Sequence, residues 1–543
     1  MISAAPELII HNGAIHTLDS ELRVVNALAA RGGRIVALGD NPNVLALADA
    51  ETYVVDIQGG CAIPGIIDSH CHADARAARL ANWHDLGPER IETQDQLLNV
   101  IAQSVATQPH RTWFAGYRYN ERKSGGYPTM AQLNDVSPHH PVFILRTDGH
   151  LGLANQSAFE MCDIATDASD PPFGRYDRDP NDGAFTGLVR ETAAHVFLER
   201  IHAEDTPRQL ADAMPRVIDE FLSYGVTSIY NSLVGTTGIQ AYQLLRERGA
   251  LKFRVGLIIS GRESGLVDSY IRAGIRSGFG DEFVRVIGVE WCPDCSTSGR
   301  TAAYYEPYVG EPALGEPADN TGMLLYEADD LTRRAGRAHQ AGLQVMIEGV
   351  GDRGIDFALD VIESALRAHP VRDHRMRVEH CCYVTPDIRA RIKRLGVIDS
   401  SATGFMYELG DAYVDNRGEA AMRHMWPHRT LIDSGIVAPG HSDAWVCSPN
   451  PFTAMWSMVH RQTDSGRSLD AREATTPLEA LQAYTTLAAY SGREEKEKGS
   501  LEVGKLADVA VLDRNMFTVP ASQLRDVQVK MTVVGGEICF ERD

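Results

Sequence analysis

The sequence lacks any long apolar run. No stretch approaches the ~18–20 uninterrupted apolar residues of a membrane span, and residues 1–7 contain no basic region followed by an apolar core. These absences argue against a membrane-spanning or secreted protein, and we expect a cytoplasmic one. With 44% hydrophobic and 23% charged residues, the composition is typical of a globular chain.

The sequence also lacks a surplus of positive charge. Its 52 basic residues stand against 73 acidic residues, which gives a formal net charge of -21. Because this charge repels phosphate backbones and anionic lipid surfaces, we expect neither nucleic acid nor a membrane as a partner. The partner we expect is a small-molecule substrate, and a homodimer is left open.

The cysteines show no disulfide pattern. There are nine, an odd number, scattered from Cys61 to Cys539, which favours reduced thiols. Cys292 and Cys295 form a single C-x-x-C with no second pair, which argues against a structural zinc site. A redox role for this pair stays open.

Short β-type runs separated by turns occur at both ends of the chain. They alternate with turns such as Gly32-Gly33 between residues 7 and 60, and the tail repeats this style at 507–512 and 531–534. Neither end has enough strands to cover its own sheet edges. We therefore predict a small β-sandwich domain built from both ends, with residues 1–62 as its first part and 500–543 as its second.

Between these ends, short apolar runs alternate with longer helix-like segments, a pattern typical of parallel βα units. The candidate strands lie at 64–72, 226–230, 253–259, 283–291, 344–348, 376–380, 396–400 and 436–443. Eight such units predict an α/β fold, a (β/α)₈ TIM-like barrel, which we place at 63–499. The stretch from about 74 to 205 does not fit the alternation. We predict that it is an insertion with its own strand at 141–146 that forms a lid or substrate wall.

Imidazoles and carboxylates stand at the ends of these candidate strands. A bare His-x-His such as His70 and His72 is more often a pair of ordinary polar residues than a metal site. In a (β/α)₈ barrel, however, reactive groups lie at the carboxyl ends of the strands. Those ends carry, in chain order, His70, His72, Glu290, Glu348, His380 and Asp443. Three imidazoles and three carboxylates gathered there predict a metal site.

At this point the sequence resembles the metal-dependent amidohydrolase superfamily, in the amidohydrolase-3 branch that includes N-substituted formamide deformylases. The resemblance covers nearly the whole chain. Its motifs are Pro64 to His72, Asp148-Gly149-His150 through Asn155, Thr186 to Glu191, Gly351-Asp352-Arg353, Arg377 to His380, Ser442-Asp443-Ala444 and Gly504 to Asp508.

Two segments, at the fourth and fifth strands of the barrel, depart from the pattern of this branch. Glu290 stands where a carbamylated lysine is usual, and Cys295 stands where a glycine follows. Glu348 stands where the fifth strand normally ends in histidine. A glutamate can bridge two metals as a carbamate does, whereas the extra negative charge of Glu348 favours harder ions such as Mn²⁺ or Fe²⁺. Alternatively, Glu348 acts as an acid or base beside a single ion.

The resemblance implies hydrolysis of an amide-type, non-peptide C–N bond in a small molecule. One or two divalent ions, with Zn²⁺ expected first, would be held by the six strand-end residues named above, and Asp443 and His380 would be catalytic. The substrate-binding residues that we predict are Asp148, His150, Trp113, Trp291 and Arg300. Two alternatives stay open: a deaminase or decarboxylase on the same barrel, and a metal-poor, catalytically silent binding or scaffold protein.

Overall fold

The computed structural model describes residues 5–203, 205–312 and 316–542. Residues 1–4, on which the cytoplasmic prediction partly rests, lie outside these ranges. Among the described residues, no helix is long and apolar enough to cross a membrane.

The first half of the chain contains the N-terminal strands and the insertion. The N-terminal elements are β1 (Leu8–His16), β2 (Val24–Arg31), β3 (Arg34–Gly39), α1 (Asn41–Leu45), β4 (Tyr53–Asp56) and β5 (Cys61–Pro64). Strand β6 (Ile66–Cys71) follows at once. The insertion then contains α2 (Ala73–Asn82), β7 (His84–Asp85), α3 (Gln94–Val105), β8 (Phe114–Tyr119), α4 (Met130–Val136), β9 (Val142–Arg146), β10 (Leu151–Ala154), α5 (Gln156–Met161), β11 (Gly174–Arg178), β12 (Phe185–Glu191) and α6 (Thr192–His202).

The second half begins with alternating helices and strands and ends in a helical region and three strands. The alternating elements are α7 (Pro207–Ser223), β13 (Val226–Val234), α8 (Thr236–Glu247), β14 (Arg254–Ser260), α9 (Leu266–Ala273), β15 (Val284–Trp291), α10 (Ala328–Gln340), β16 (Gln344–Gly349), α11 (Asp352–Ala368), β17 (Arg377–His380), α12 (Pro386–Leu395) and β18 (Ile398–Ser401). The remaining elements are α13 (Thr403–Glu408), α14 (Gly410–Arg417), α15 (His428–Asp433), α16 (Pro451–His460), α17 (Pro477–Ala483), α18 (Thr486–Ser491), β19 (Val509–Leu512), β20 (Val529–Val534) and β21 (Glu537–Glu541), with 3₁₀ helices at Glu419–Arg423, Ala471–Glu473 and Ala521–Asp526.

The two chain ends share one eight-stranded sheet. Its order is β21-β20-β19-β5-β1-β2-β3, and β4 pairs with residues 8–11 of β1 while β5 pairs with residues 14 and 15. The two ends join where β19 runs antiparallel to β5, with Ala510 opposite Ile63. This joining confirms the prediction that both ends build one β domain. The boundaries at residues 62 and 500 stay predictions.

The barrel is a parallel sheet of seven strands in the order β18-β17-β16-β15-β14-β13-β6. The insertion forms a separate six-stranded sheet, order β11-β12-β10-β9-β8-β7, in which β9 matches the predicted strand at 141–146 within one residue. The predicted TIM-like α/β fold is therefore confirmed. Seven of the eight predicted strands are present with ends shifted by a few residues.

The eighth predicted strand, residues 436–443, is not a regular strand. It occupies the gap between β18 and β6, where the Ser401 amide donates to the Pro439 carbonyl and the Asp443 amide donates to the His70 carbonyl. Pro439 has no amide to donate, and the Ser442 amide donates to the Asp68 carboxylate at 3.1 Å rather than to a backbone carbonyl. Side-chain bonding thus replaces a regular ladder and leaves the barrel nearly closed.

Alternation along the strands separates the packing face from the cavity face. In β16, Val345 and Ile347 pack in the large apolar cluster outside the barrel, whereas Glu348 lines the cavity at the strand ends. Because successive side chains of a strand point to opposite faces, an outward residue follows each inward one. Inside the barrel, the floor is closed by an apolar cluster of Ile67, Tyr230, Ile258, Ile287, Met346, Ala488 and Ala489.

Candidate metal centre

A cavity of about 580 Å³ opens at the carboxyl ends of the barrel strands. All six residues predicted from the strand ends line this cavity: His70, His72, Glu290, Glu348, His380 and Asp443. Residues of the insertion complete its wall, among them Asp148 and His150. The fold therefore brings six side chains from five segments, far apart in sequence, to one site.

His70, His72 and Asp443 form the tightest group. One ligand atom from each residue lies within 4.8 Å of the others. His72 Nε2 is 3.0 Å and His70 Nε2 is 3.4 Å from Asp443 Oδ1. Asp443 has a φ of +56°, in the left-handed region, and this backbone turn aims its carboxylate back toward β6. Two imidazoles and a carboxylate converging in this way are a donor set suited to a divalent metal.

A buried ion pair orients His70. Its Nδ1 lies 2.9 Å from Glu379 Oε2, so the opposite ring nitrogen faces Asp443. Glu379 is in turn 2.6 Å from Arg377 Nε, and both side chains are fully buried. Burial opposes ionisation of Glu379, but the charges of Arg377 and His70 hold the pKa of its carboxyl well below the usual range. Glu379 is therefore an anion that fixes the ring orientation of His70.

Backbone geometry turns His380 toward the cavity. Arg377 and Glu379 point into the barrel and Val378 packs outside, so strict alternation would send His380 outward. His380 instead has a φ of +66° and lines the cavity, with its Nε2 3.6 Å from Glu348 Oε1. Burial lowers the pKa of His380 to about 3, which keeps its imidazole neutral and able to act as a ligand.

Glu290 and Glu348 stand on the other side of the cavity. Glu290 accepts a hydrogen bond from the Ser232 hydroxyl and is 3.9 Å from His70 Nδ1. Glu348 lies between His380 and His150, with His150 Nε2 3.8 Å from its Oε1. Burial raises the pKa of Glu290, and it raises the pKa of Glu348 to about 8. Both buried carboxylates would gain from a nearby cation.

Orphaned polar atoms support the fit to a metal. Within the described parts of the chain, His380 Nδ1 is buried without a hydrogen-bond partner, and the contacts of Asp443 Oδ1 with His72 and His70, at 3.0 and 3.4 Å, do not have hydrogen-bond geometry. Leaving such groups unpaired costs free energy, about 1–3 kcal/mol each. A cation between His70, His72 and Asp443 would satisfy the carboxylate oxygen. These three residues therefore fit a divalent metal ion.

A family model described as amidohydrolase family matches residues 53–540. The chain belongs to the amidohydrolase family. This membership makes it an enzyme, a hydrolase of C–N bonds other than peptide bonds.

Relatives of this amidohydrolase match it over nearly their full length. An N-substituted formamide deformylase from Arthrobacter pascens is 27% identical over 546 residues, covering 99% of this chain and 98% of the relative. An uncharacterized metal-dependent hydrolase from Pyrococcus furiosus has 25% identity and a TM-score of 0.73, covering 94% of this chain and 100% of the other. The corresponding Pyrococcus horikoshii hydrolase has 24% identity and a TM-score of 0.75, covering 95% and 99%, and shows the same fold.

Three of the five predicted substrate-binding residues lie away from the cavity wall of this amidohydrolase. Trp291 follows Glu290 directly in β15, so it faces outward, is 1% exposed and packs in the outer cluster. Trp113 precedes β8 and packs against the apolar cluster of the insertion. Arg300 is paired with Glu316, its Nε 2.7 Å from Oε1. Asp148 and His150 do line the cavity.

Several residues that the structure places at the site were not assigned from the sequence. His441 packs between His70 and His380, with ring centroids 4.9 and 5.2 Å away. Glu379 directly precedes the predicted ligand His380, and His441 stands two residues before Asp443; this proximity in sequence was the available signal. On the cavity wall itself, the unpredicted residues include Ser232, Arg262 and His195, for which the sequence offers no signal.

Proposed function

We propose that this amidohydrolase hydrolyses an amide-type bond in a small organic molecule with the help of a divalent metal, Zn²⁺ being the first expectation. The observation that carries the proposal is the convergence of His70, His72 and Asp443 at the base of the 580 Å³ cavity. A cavity of this size takes a small organic molecule.

The metal would be held by His70, His72 and Asp443, with Glu290, Glu348 and His380 available to a second ion. When bound, it supplies Lewis-acid polarisation of the carbonyl and acidifies water at neutral pH. His70 is held in position by Glu379, and His72 by the Ser232 carbonyl 3.2 Å from its Nδ1. The protein thus fixes both imidazoles before any ligand arrives.

Proton transfer falls to the Asp443 carboxylate. The neighbouring imidazoles hold its pKa well below the usual range against the effect of burial, so it is ionised and able to accept a proton from the attacking water. It then returns this proton to the leaving nitrogen, which departs as an amine. Glu348, with a pKa of about 8, is the second group that can hold a proton in the cavity.

The position of Arg262 supports the proposal that the substrate carries an anionic group. It follows β14 on the cavity wall, and within the described ranges its guanidinium forms no ion pair. Most other charged groups on the wall are carboxylates, so Arg262 is a distinct point of attraction for a substrate carboxylate.

The replacement Asp443→Asn tests the proposal. It keeps one carbonyl oxygen and removes the proton acceptor, so we expect metal content to persist while turnover falls by roughly 10²–10⁴-fold. The assay is amine release from a panel of N-formyl, N-acyl and cyclic amides, each with neutral and carboxylate-bearing members. Asp205→Asn, on the same cavity wall, is the matched control and should keep its turnover.

If Asp443→Asn keeps its turnover, Asp443 is not the proton acceptor. Release of CO₂ in place of an amine would identify a decarboxylase. Preference for the carboxylate-bearing members should disappear in Arg262→Met. If the wild type prefers the neutral members, the role proposed for Arg262 is wrong.

A further inference from the structure

A second group of metal-ligating side chains lies beside the cavity, on the side of the insertion. One ligand atom from each of His150, Glu191 and Cys295 lies within 4.8 Å of the others. His150 belongs to the turn after β9, Glu191 ends β12, and Cys295 lies in the loop after β15. None of these residues belongs to the group formed by His70, His72 and Asp443.

The carboxylate of this group is buried and incompletely bonded. Glu191 is 0% exposed, and its Oε2 lies 2.9 Å from His150 Nδ1. Its other oxygen, Oε1, has no hydrogen-bond partner among the described residues. Glu191 also has a φ of +53°, a strained conformation for a side chain of this size. An unpaired buried carboxylate oxygen is costly unless a cation or donor satisfies it.

A small cavity adjoins two of the three residues. It measures about 20 Å³ and is lined by His150 and Cys295 together with Glu348, His380 and Asp443, whereas Glu191 is not part of its lining. This volume exceeds the roughly 10–15 Å³ needed for one water-sized occupant. His150 also lines the large cavity and its side chain is 18% exposed, so an ion has an entry path.

We propose that His150, Glu191 and Cys295 bind a Zn²⁺ or similarly soft divalent ion of their own, distinct from the one or two ions of the hydrolytic centre. A thiolate, an imidazole and a carboxylate together are typical ligands of Zn²⁺, and a thiolate disfavours Mg²⁺ and Ca²⁺. Binding forms a bond between the metal and Cys295 Sγ, and the thiol proton leaves to solvent. Glu348 Oε1, 3.8 Å from His150 Nε2, is near enough to couple this ion to the hydrolytic centre.

The competing explanation is that the three residues form only a hydrogen-bonded network. The two explanations differ in whether the thiol becomes a metal-bound thiolate. Cobalt(II) distinguishes them, because a cobalt–thiolate bond gives a charge-transfer absorption in the near ultraviolet and cobalt bound only by imidazole and carboxylate does not.

The experiment titrates the metal-free full-length protein with Co²⁺ and records this band. We expect the band in the wild type and its loss in Cys295→Ser. Cys292→Ser and Cys162→Ser should keep it, since these two thiols lie outside the group. His72→Ala should also keep the band, which separates this inference from the proposed hydrolytic function.

Glu191→Gln should weaken Co²⁺ binding by at least the roughly tenfold to hundredfold that loss of an outer partner costs, so the proposal stays testable if Cys295→Ser does not fold. Absence of the band in the wild type at saturating Co²⁺ would overturn the proposal. So would a band that survives in Cys295→Ser or disappears in Cys292→Ser.

Discussion

A buried pair of charged residues behind the cavity fixes the orientation of the predicted ligand His70. The Arg377–Glu379 pair is fully buried, and Arg377 also donates to the Ser69 carbonyl and the Ser400 hydroxyl. Glu379 bonds to His70, so one ion pair links the sixth barrel strand to the first. The position of His70 therefore depends on a residue that does not itself line the cavity.

Glu379→Gln should weaken metal binding. The neutral amide no longer supports the charge and orientation of the His70 imidazole, so we expect an affinity for Zn²⁺ lower by roughly 10–100-fold. Removing one partner of a buried pair also destabilises the fold, by roughly 3–5 kcal/mol. A chelator competition assay measures the first effect and urea unfolding the second.

The double variant Arg377→Met with Glu379→Gln separates the two effects. It removes both charges, so it should recover much of the stability while metal binding stays weak. Wild-type affinity in Glu379→Gln would show that His70 needs no such support.

The buried carboxyl of Asp399 in β18 should make the free energy of unfolding depend on pH. Burial raises the pKa of its carboxyl to about 7, and one of its oxygens has no hydrogen-bond partner among the described residues. The unfolded chain releases this proton near pH 4 and the folded chain only near pH 7. Stability should therefore fall by roughly 1 kcal/mol per pH unit as the pH rises through this window, and stay level above it.

Asp399→Asn removes this titration. Urea unfolding at several values between pH 4 and 8 should show the variant gaining stability relative to the wild type as the pH rises. The difference between the two proteins isolates Asp399 from other buried carboxyls such as Asp68, which both proteins share. A difference that is constant with pH would contradict the assignment.

At the residue scale, position in a strand made part of the site predictable. The six candidate ligands were found because each closes an apolar run, and such runs end at one rim of a barrel. Strict alternation would have excluded Trp291, which follows Glu290. Arg262 was not predictable, because its location depends on how a loop after a strand folds back over the cavity.

At the element scale, one side chain adds to the backbone hydrogen bonds that hold the segment at 436–443. Asp68 in β6 accepts hydrogen bonds from the Ser442 amide and the Ser442 hydroxyl, and Asp443 follows directly. The order of strands was predictable from the alternation of strand and helix. That this segment would bond through a side chain was not, because the contact joins residues 374 positions apart.

Asp68→Ala should displace the catalytic segment. Without an acceptor for Ser442, Asp443 loses its fixed position, and a displacement of about 1 Å costs roughly 10²-fold in rate. Asp68→Asn keeps an acceptor oxygen and should retain much of the turnover. The readout is kcat beside metal content, and equal turnover in Asp68→Ala and the wild type would show that Asp68 does not position Asp443.

At the scale of the whole molecule, a buried ion pair joins the barrel to the terminal sheet. Arg254 at the start of β14 lies 2.7 Å from Asp508, just before β19. Asp508 also accepts from the Gly535 amide at the turn between β20 and β21. The terminal sheet is thus fixed to the amino ends of the barrel strands, opposite the cavity. The sequence predicted this shared sheet, because unpaired strand edges at both ends required a partner.

The central claim is that the barrel mouth is a metal-dependent hydrolytic centre. It is tested most directly by measuring amide hydrolysis by the full-length protein after its metal has been removed and again after Zn²⁺ or Mn²⁺ has been added back, with bound metal counted per chain. We expect no turnover without metal and recovery in proportion to the metal bound, with no recovery in His72→Ala. Undiminished hydrolysis by the metal-free protein would contradict the claim.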